Sequence, residues 1–185
     1  MVINLSLLKL IYSLNRFTIF SHGLSLFLGE YLIYIFGIGT LLYLILSKES
    51  KKEKTKWLFI LILTCCLSNL IITPLIHCIC KFARPFLLMP AVGTYAHFLK
   101  VREYTTSFPS GHTSLAFAIA VVIFLKNKKW GAAALVIAAL VGVGRILMGV
   151  HWPMDILGGL SVGTLCALVT YELTEKLLTK TTPIK

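Results

Sequence analysis

The sequence predicts an all-α protein, a polytopic membrane helical bundle of five to six spans, and three observations carry that expectation. Of the 185 residues, 57% are hydrophobic and only 14% charged, against about 25% charged in an ordinary soluble domain. The charges are also segregated. Glu30 is the only one between Phe17 and Ser47, and neither Trp57–Cys80 nor Tyr104–Leu125 contains any. Uncharged runs of that length exceed the roughly 18 apolar residues that mark a membrane-crossing helix. Last, the mean hydropathy is +0.87. Together these exclude a soluble enzyme, a disordered chain and a secreted disulfide scaffold.

In chain order, residues 1–20 read as an amphipathic segment at the membrane interface. Lys9 and Arg16 interrupt its apolar residues and no small-residue cleavage site follows, so it lacks a signal-peptide layout. The membrane domain is expected over 21–178, with spans near 24–46, 57–80, 109–125, 130–150 and 154–176. A sixth exists only if the N-terminal segment also crosses. The third is short and must begin at Phe108-Pro109-Ser110-Gly111 to approach membrane thickness. Residues 179–185 form a C-terminal tail. Glycines at 142, 144, 158, 159 and 163 suit close helix packing, and Trp57, Trp130 and Trp152 suit the interface.

The connections alternate sides. Eleven lysines and no arginine fall in loop 47–56, loop 126–129 and the C-terminus; five basic residues (Lys81, Arg84, Lys100, Arg102, Arg145) fall on the other side. The positive-inside bias puts the lysine-rich side in the cytoplasm of a cell-membrane protein and the other toward the periplasm or exterior. Lysines placed at span ends make anionic membrane lipid the partner of the +11 net charge, not nucleic acid. The five cysteines lie in apolar stretches and read as core filling. Cys78-x-Cys80 beside His77 lacks the paired spacings of a zinc site, so no metal and no cofactor is expected.

The outward side collects the unusual residues in three clusters. Lys81 and Arg84, three apart before Pro85, offer a point charge and a planar fork for phosphate oxygens, and would share a face if helical. They are equally what two cations snorkelling to the interface look like. In Ser107-Phe-Pro109-Ser110-Gly111-His112-Thr113, Ser110 is a candidate N-cap. A helix opening at Gly111 presents free backbone N–H groups to an anion, with His112 placed to pass a proton; an ordinary capped span with one interfacial histidine fits too. In Arg145-x5-His151-Trp-Pro153-Met-Asp155, the i to i+4 spacing lets the carboxylate fix the imidazole tautomer. That pairing is also known as a purely structural one. Two histidines, one carboxylate and three cations on one side, with no acidic metal cluster, read as phosphoryl transfer through a covalent phosphohistidine.

These motifs resemble the type-2 phosphatidate phosphatase superfamily, which also contains the vanadium haloperoxidases. Its pattern is Lys-x6-Arg-Pro, Pro-Ser-Gly-His and Ser-Arg-x5-His-x3-Asp; Arg84-Pro85, Pro109–His112 and Arg145-x5-His151-x3-Asp155 match in that order. The resemblance implies that His151 attacks phosphorus with Asp155 orienting it. It further implies that His112 protonates the leaving oxygen, and that Arg84, Arg145 and the Ser110–Gly111 turn bind phosphate oxygens. His77 stands where the family has lysine, leaving Lys81 as the nearest replacement, and Gly144 stands where the family has serine. The short length, Arg84-Pro85-Phe86 and Gly29-Glu30-Tyr31 resemble the bacterial undecaprenyl-diphosphatases of the bacitracin-resistance type. Glu30 then sits either beside the site or merely at the interface. The substrate implied is a lipid diphosphate. The alternatives are a phosphatidylglycerophosphate or phosphatidate phosphatase, and a non-catalytic lipid-phosphate binding or transport protein.

Overall fold

The computed structural model describes residue 6, residues 19–88 and residues 106–181. The expectations for the N-terminal segment through residue 18, for Lys100 and Arg102, and for residues 182–185 of the tail fall outside the described residues, Ser6 apart. The described residues form α1 (Ile19–Leu26), α2 (Leu32–Leu46), α3 (Lys51–Cys66), α4 (Thr73–Ile79), α5 (Pro85–Leu88), α6 (Gly111–Lys126), α7 (Lys128–Leu147) and α8 (Pro153–Thr181). No strand occurs among them. Two π-helical segments, Phe27–Tyr31 and Leu67–Ile72, join α1 to α2 and α3 to α4 without a break in the helix.

Four helical runs are long and apolar enough to cross a membrane: Gly23–Leu46, Lys51–Ile79, Lys128–Leu147 and Pro153–Thr179. The second begins earlier than the expected span at 57, because Ser50 caps it by accepting from the Glu53 amide at 3.3 Å and lysines extend its polar end. The helix at the third expected span is 16 residues, Gly111–Lys126. At 1.5 Å per residue it is about 24 Å long, less than a hydrocarbon core of about 30 Å.

That short helix is the hub. Every residue from Ala116 to Ile123 is buried, because α7 and α8 pack along it and α3 and α2 close round it. Small residues set the spacing. A Cβ on Gly163 would meet the Ala118 amide nitrogen at 2.7 Å, and one on Gly159 the Ser110 carbonyl oxygen at 2.7 Å. Between lipid-solvated helices such close backbone approach replaces the hydrophobic drive available in water. The outer surface carries Ile38, Leu46, Ile62, Leu70 and Leu165, all exposed, as a lipid-facing surface requires. Thr64 on α3 and Thr170 on α8 share an interhelical hydrogen bond of 2.5 Å.

The lysine-rich end is closed by ion pairs between Lys126 and Glu49 and between Lys56 and Glu175, around Trp57 stacked on Tyr171 at 5.9 Å. At the opposite end lie residues 80–88, 106–112 and 147–155, and the three clusters meet there.

Candidate active site

Arg84 is placed by an extended stretch rather than by a helix. α4 ends at Ile79 and Cys80 is extended, so His77, Lys81 and Arg84 do not share a helical face. Residues 80–84 instead run beside Thr106 and Ser107. Ser107 donates its amide to the Phe82 carbonyl at 2.8 Å, and Phe82 donates to Thr106 Oγ1 at 3.0 Å. Trp152 Nε1, just before α8, fastens the same extended stretch by donating to the Ala83 carbonyl at 2.8 Å. Arg84 is therefore buried, with Nη1 donating to the Val150 carbonyl at 3.1 Å and Nη2 to the Thr106 carbonyl at 3.3 Å. Burial, and then Arg145, lower its pKa to about 10 against the pull of Asp155; it remains a cation at neutral pH. Lys81 is exposed and makes no hydrogen bond or ion pair among the described residues. His77 turns inward, its Nε2 2.9 Å from the Pro109 carbonyl. It anchors the loop before α6, which gives it a scaffolding place in this chain.

Ser110 stands at the N-cap of α6 but its side chain does not cap. Its hydroxyl accepts from Thr113 Oγ1 at 3.1 Å, and its amide donates to the Asp155 carbonyl at 3.0 Å. The amides of Gly111, His112 and Thr113 consequently have no intrahelical acceptor, as at any helix start, and no side-chain cap replaces it. Gly111 lets that turn approach the second π-helical segment closely, since an added Cβ would press on Asn69 Oδ1 at 3.2 Å.

His151 follows the Met148–Val150 turn, in which Gly149 has φ of 70°, a conformation open to glycine without strain. The imidazole is 3% exposed. Its Nδ1 lies 3.3 Å from Asp155 Oδ2, and its Nε2 3.4 Å from Arg84 Nη1. A guanidinium only donates, so Nε2 is the acceptor and the ring proton belongs on Nδ1, toward Asp155. Asp155 Oδ2 also accepts the Trp152 amide at 2.8 Å, which holds the carboxylate in place. Burial, then Arg145, Arg84 and His112, lower the His151 pKa well below the ordinary histidine value. The ring is neutral at pH 7 with an Nε2 lone pair available, which is what a nucleophilic histidine requires.

Arg145, near the end of α7, is buried. Its Nη1 bonds Glu30 Oε2 at 2.6 Å and the Gly29 carbonyl at 3.2 Å. Its Nε is buried with no partner among the described residues. Glu30 Oε2 also lies 3.6 Å from His112 Nε2. Of the two readings open for Glu30, the structure gives the one beside the site.

Gly144 explains how. A Cβ there would lie 2.6 Å from Leu28 C and 2.7 Å from Gly29 Cα. The π-helical turn of the first span thus lies against α7 backbone to backbone, one residue before Glu30 and one before Arg145. The glycine in the serine position is a packing feature, not simply a missing hydroxyl.

All three clusters thus converge at one bundle end, with Arg84, Arg145 and His112 within electrostatic reach of His151. Sequence reasoning missed Thr106, and it included Ser107 in the second motif without giving it a role. The first pairs the Arg84 stretch; the second is fully buried against His151 and Asp155. Only their proximity to Pro109 marked them. Gly29 carried a readable signal, a glycine beside the single charge of a long apolar run.

Comparison with known proteins agrees with this geometry. Residues 55–178 match the PAP2 superfamily. Two Bacillus proteins align over most of the chain. One, named bacitracin transport permease protein BcrC, from Bacillus licheniformis, is 33% identical over 82% of this chain and 70% of its own length. The other, named undecaprenyl-diphosphatase BcrC, from Bacillus subtilis (strain 168), is 26% identical over 94% and 86%. The crystal structure of Aquifex aeolicus LpxE superposes with a TM-score of 0.70 at 28% identity, covering 92% of this chain and 95% of that one. In motif, helix arrangement and overall sequence alike, the chain is a multi-pass membrane phosphatase belonging to the PAP2 superfamily.

Proposed function

We propose that the chain hydrolyses a polyprenyl diphosphate, undecaprenyl diphosphate in the first instance, to the monophosphate through a phosphohistidine on His151, without a metal. The observation that carries the reading is the state of His151: buried, neutral, protonated toward Asp155, with Nε2 beside a guanidinium. Nε2 attacks the terminal phosphorus, the P–O bond to the lipid monophosphate breaks, and His112 gives its proton to the departing oxygen. Arg84, Arg145 and the open amides of the Ser110–Gly111 turn take the phosphate oxygens. Water, deprotonated by His112, then attacks phosphorus, and the P–N bond breaks with its electron pair returning to His151 Nε2 as inorganic phosphate leaves. The two guanidiniums neutralise charge on the transferring phosphoryl group.

The diphosphate substrate is supported by the printed name of the Bacillus subtilis relative, and the lysine distribution supports a site facing the periplasm or exterior of the cell membrane. The other Bacillus relative is named a transport permease, which favours binding or transport as the second reading.

One assay decides. Purified protein is incubated with undecaprenyl diphosphate, phosphatidylglycerophosphate and phosphatidate in excess EDTA, and phosphate release is measured. The expected result is release in EDTA, greatest kcat/KM for the diphosphate, and loss of at least about a thousandfold in His151→Ala. A strict Mg²⁺ requirement, or undiminished activity in His151→Ala, refutes the mechanism; preference for a glycerolipid phosphate refutes the substrate. Lipid binding with no release from any of the three favours transport.

A further inference from the structure

We infer that Glu30 is a positioning residue for His112, so that the site works with two imidazole–carboxylate dyads, one for the nucleophile and one for the leaving group. The inference rests on the phosphohistidine reading. The first dyad is His151 with Asp155, four residues apart on one turn. The second is assembled across helices. Glu30 comes from the π-helical turn of the first span, His112 from the first turn of α6, and their atoms lie 3.6 Å apart. Glu30 is the sole charge of a 31-residue stretch, Phe17–Ser47, and the Gly29–Gly144 contact brings it inward.

His112 needs such a partner because the other charged groups facing it are Arg145 and Arg84, and both guanidiniums oppose a charged imidazole. Glu30 counters them while holding the Arg145 fork at 2.6 Å. A carboxylate beside Nε2 favours hydrogen on that nitrogen and orients the ring. The proton delivered is therefore the second one, on Nδ1 of the His112 imidazolium, whose charge Glu30 balances and which returns to the neutral Nε2–H form. In that step the P–O bond breaks, its electron pair stays on the leaving oxygen, the His112 proton joins it, and phosphorus is left bonded to His151 Nε2.

A role in leaving-group protonation has a signature that loss of packing lacks. Phenyl phosphate and p-nitrophenyl phosphate are similar in size, but the nitrophenolate departs with far less help from an acid. The full-length protein and its Glu30→Gln variant are compared on both esters, and in parallel on an alkyl monophosphate lipid and the polyprenyl diphosphate, which differ in the same sense. The ratio of kcat/KM values within one preparation does not depend on how much of it is folded. Glu30→Gln should lose at least about tenfold more on the poorer leaving group of each pair, and Glu30→Asp should recover part of that difference. Equal losses within both pairs, or no loss, overturn the inference and leave Glu30 as a support for Arg145. Full activity in His151→Ala overturns the phosphohistidine reading by itself, whatever Glu30→Gln does.

Discussion

His151 is held neutral by its surroundings, and the consequence has a sign. Its folded-state pKa lies well below the ordinary value, whereas an unfolded histidine titrates near 6.5. Below about pH 6.5 the unfolded chain takes up a proton that the folded chain refuses, so stability declines as pH falls through that value and is fully present above it. The same refusal keeps the Nε2 lone pair free of a proton, as the proposed nucleophile needs. In a pH–rate profile the acid limb belonging to His151 should lie clearly below about 6.5; an acid limb of the intact protein with its half-maximal point at about 6.5, assigned to His151, would contradict this. Asp155→Asn keeps the shape but turns a donor toward Nδ1, favouring the tautomer with Nε2 blocked. A loss of roughly a thousandfold or more in kcat with little change in KM is expected, by analogy with the same substitution in other His–Asp pairs. Arg84→Lys should keep the charge and lose the fork that spans Val150 and Thr106, raising KM more than it lowers kcat. Steady-state kinetics on the diphosphate separates the two outcomes.

At the scale of elements, the contact between the first span and α7 has the most to say. Gly144→Ser would restore the serine of the superfamily pattern. With Leu28 C and Gly29 Cα within 2.7 Å of the new Cβ, it should nonetheless push the first span away. Overpacking of this kind costs about 1–3 kcal/mol, and activity should fall with it because Glu30 leaves Arg145. Thermal unfolding in detergent together with kcat/KM checks both; a fully active, equally stable Gly144→Ser variant would contradict the account. This contact also shows where the sequence stopped being legible. Periodicity and charge spacing marked the helices to within about six residues, and motif spacing singled out His112, Arg145, His151 and Asp155, which the fold brings to one end of the bundle. What they lack is any signal for a π-helical turn, which rotates Glu30 toward the site without changing a residue type. The end of α4 at Ile79 was invisible for a similar reason. Apolar residues continue past it, and what stops the helix is tertiary pairing of residues 80–84 with Thr106 and Ser107. Lys81, which would share a face with Arg84 if helical, lies in the extended stretch instead and is exposed.

Taken as a whole, the molecule is a membrane bundle with its chemistry at one end and its lysines at the other. The run Lys51–Ile79 is 29 residues, about 43 Å of helix, so its two ends lie on opposite faces of a bilayer. In a cysteine-free background, Lys81→Cys should react with a membrane-impermeant maleimide applied to intact cells, while Lys54→Cys should react only after the cells are opened. The reverse pattern would turn the whole protein over and place its substrate in the other leaflet.

α6 is about 6 Å shorter than the hydrocarbon thickness, so with Lys126 level with the lysine-rich boundary the ring of groups at its start would lie in a dimple below the opposite one. A customer already dissolved in the bilayer glides in sideways, its tail never leaving oil while its head dips a little. A phosphorylated soluble protein would have to press peptide into hydrocarbon to reach the same depth. Depth alone thus sorts the clientele before any side chain is consulted.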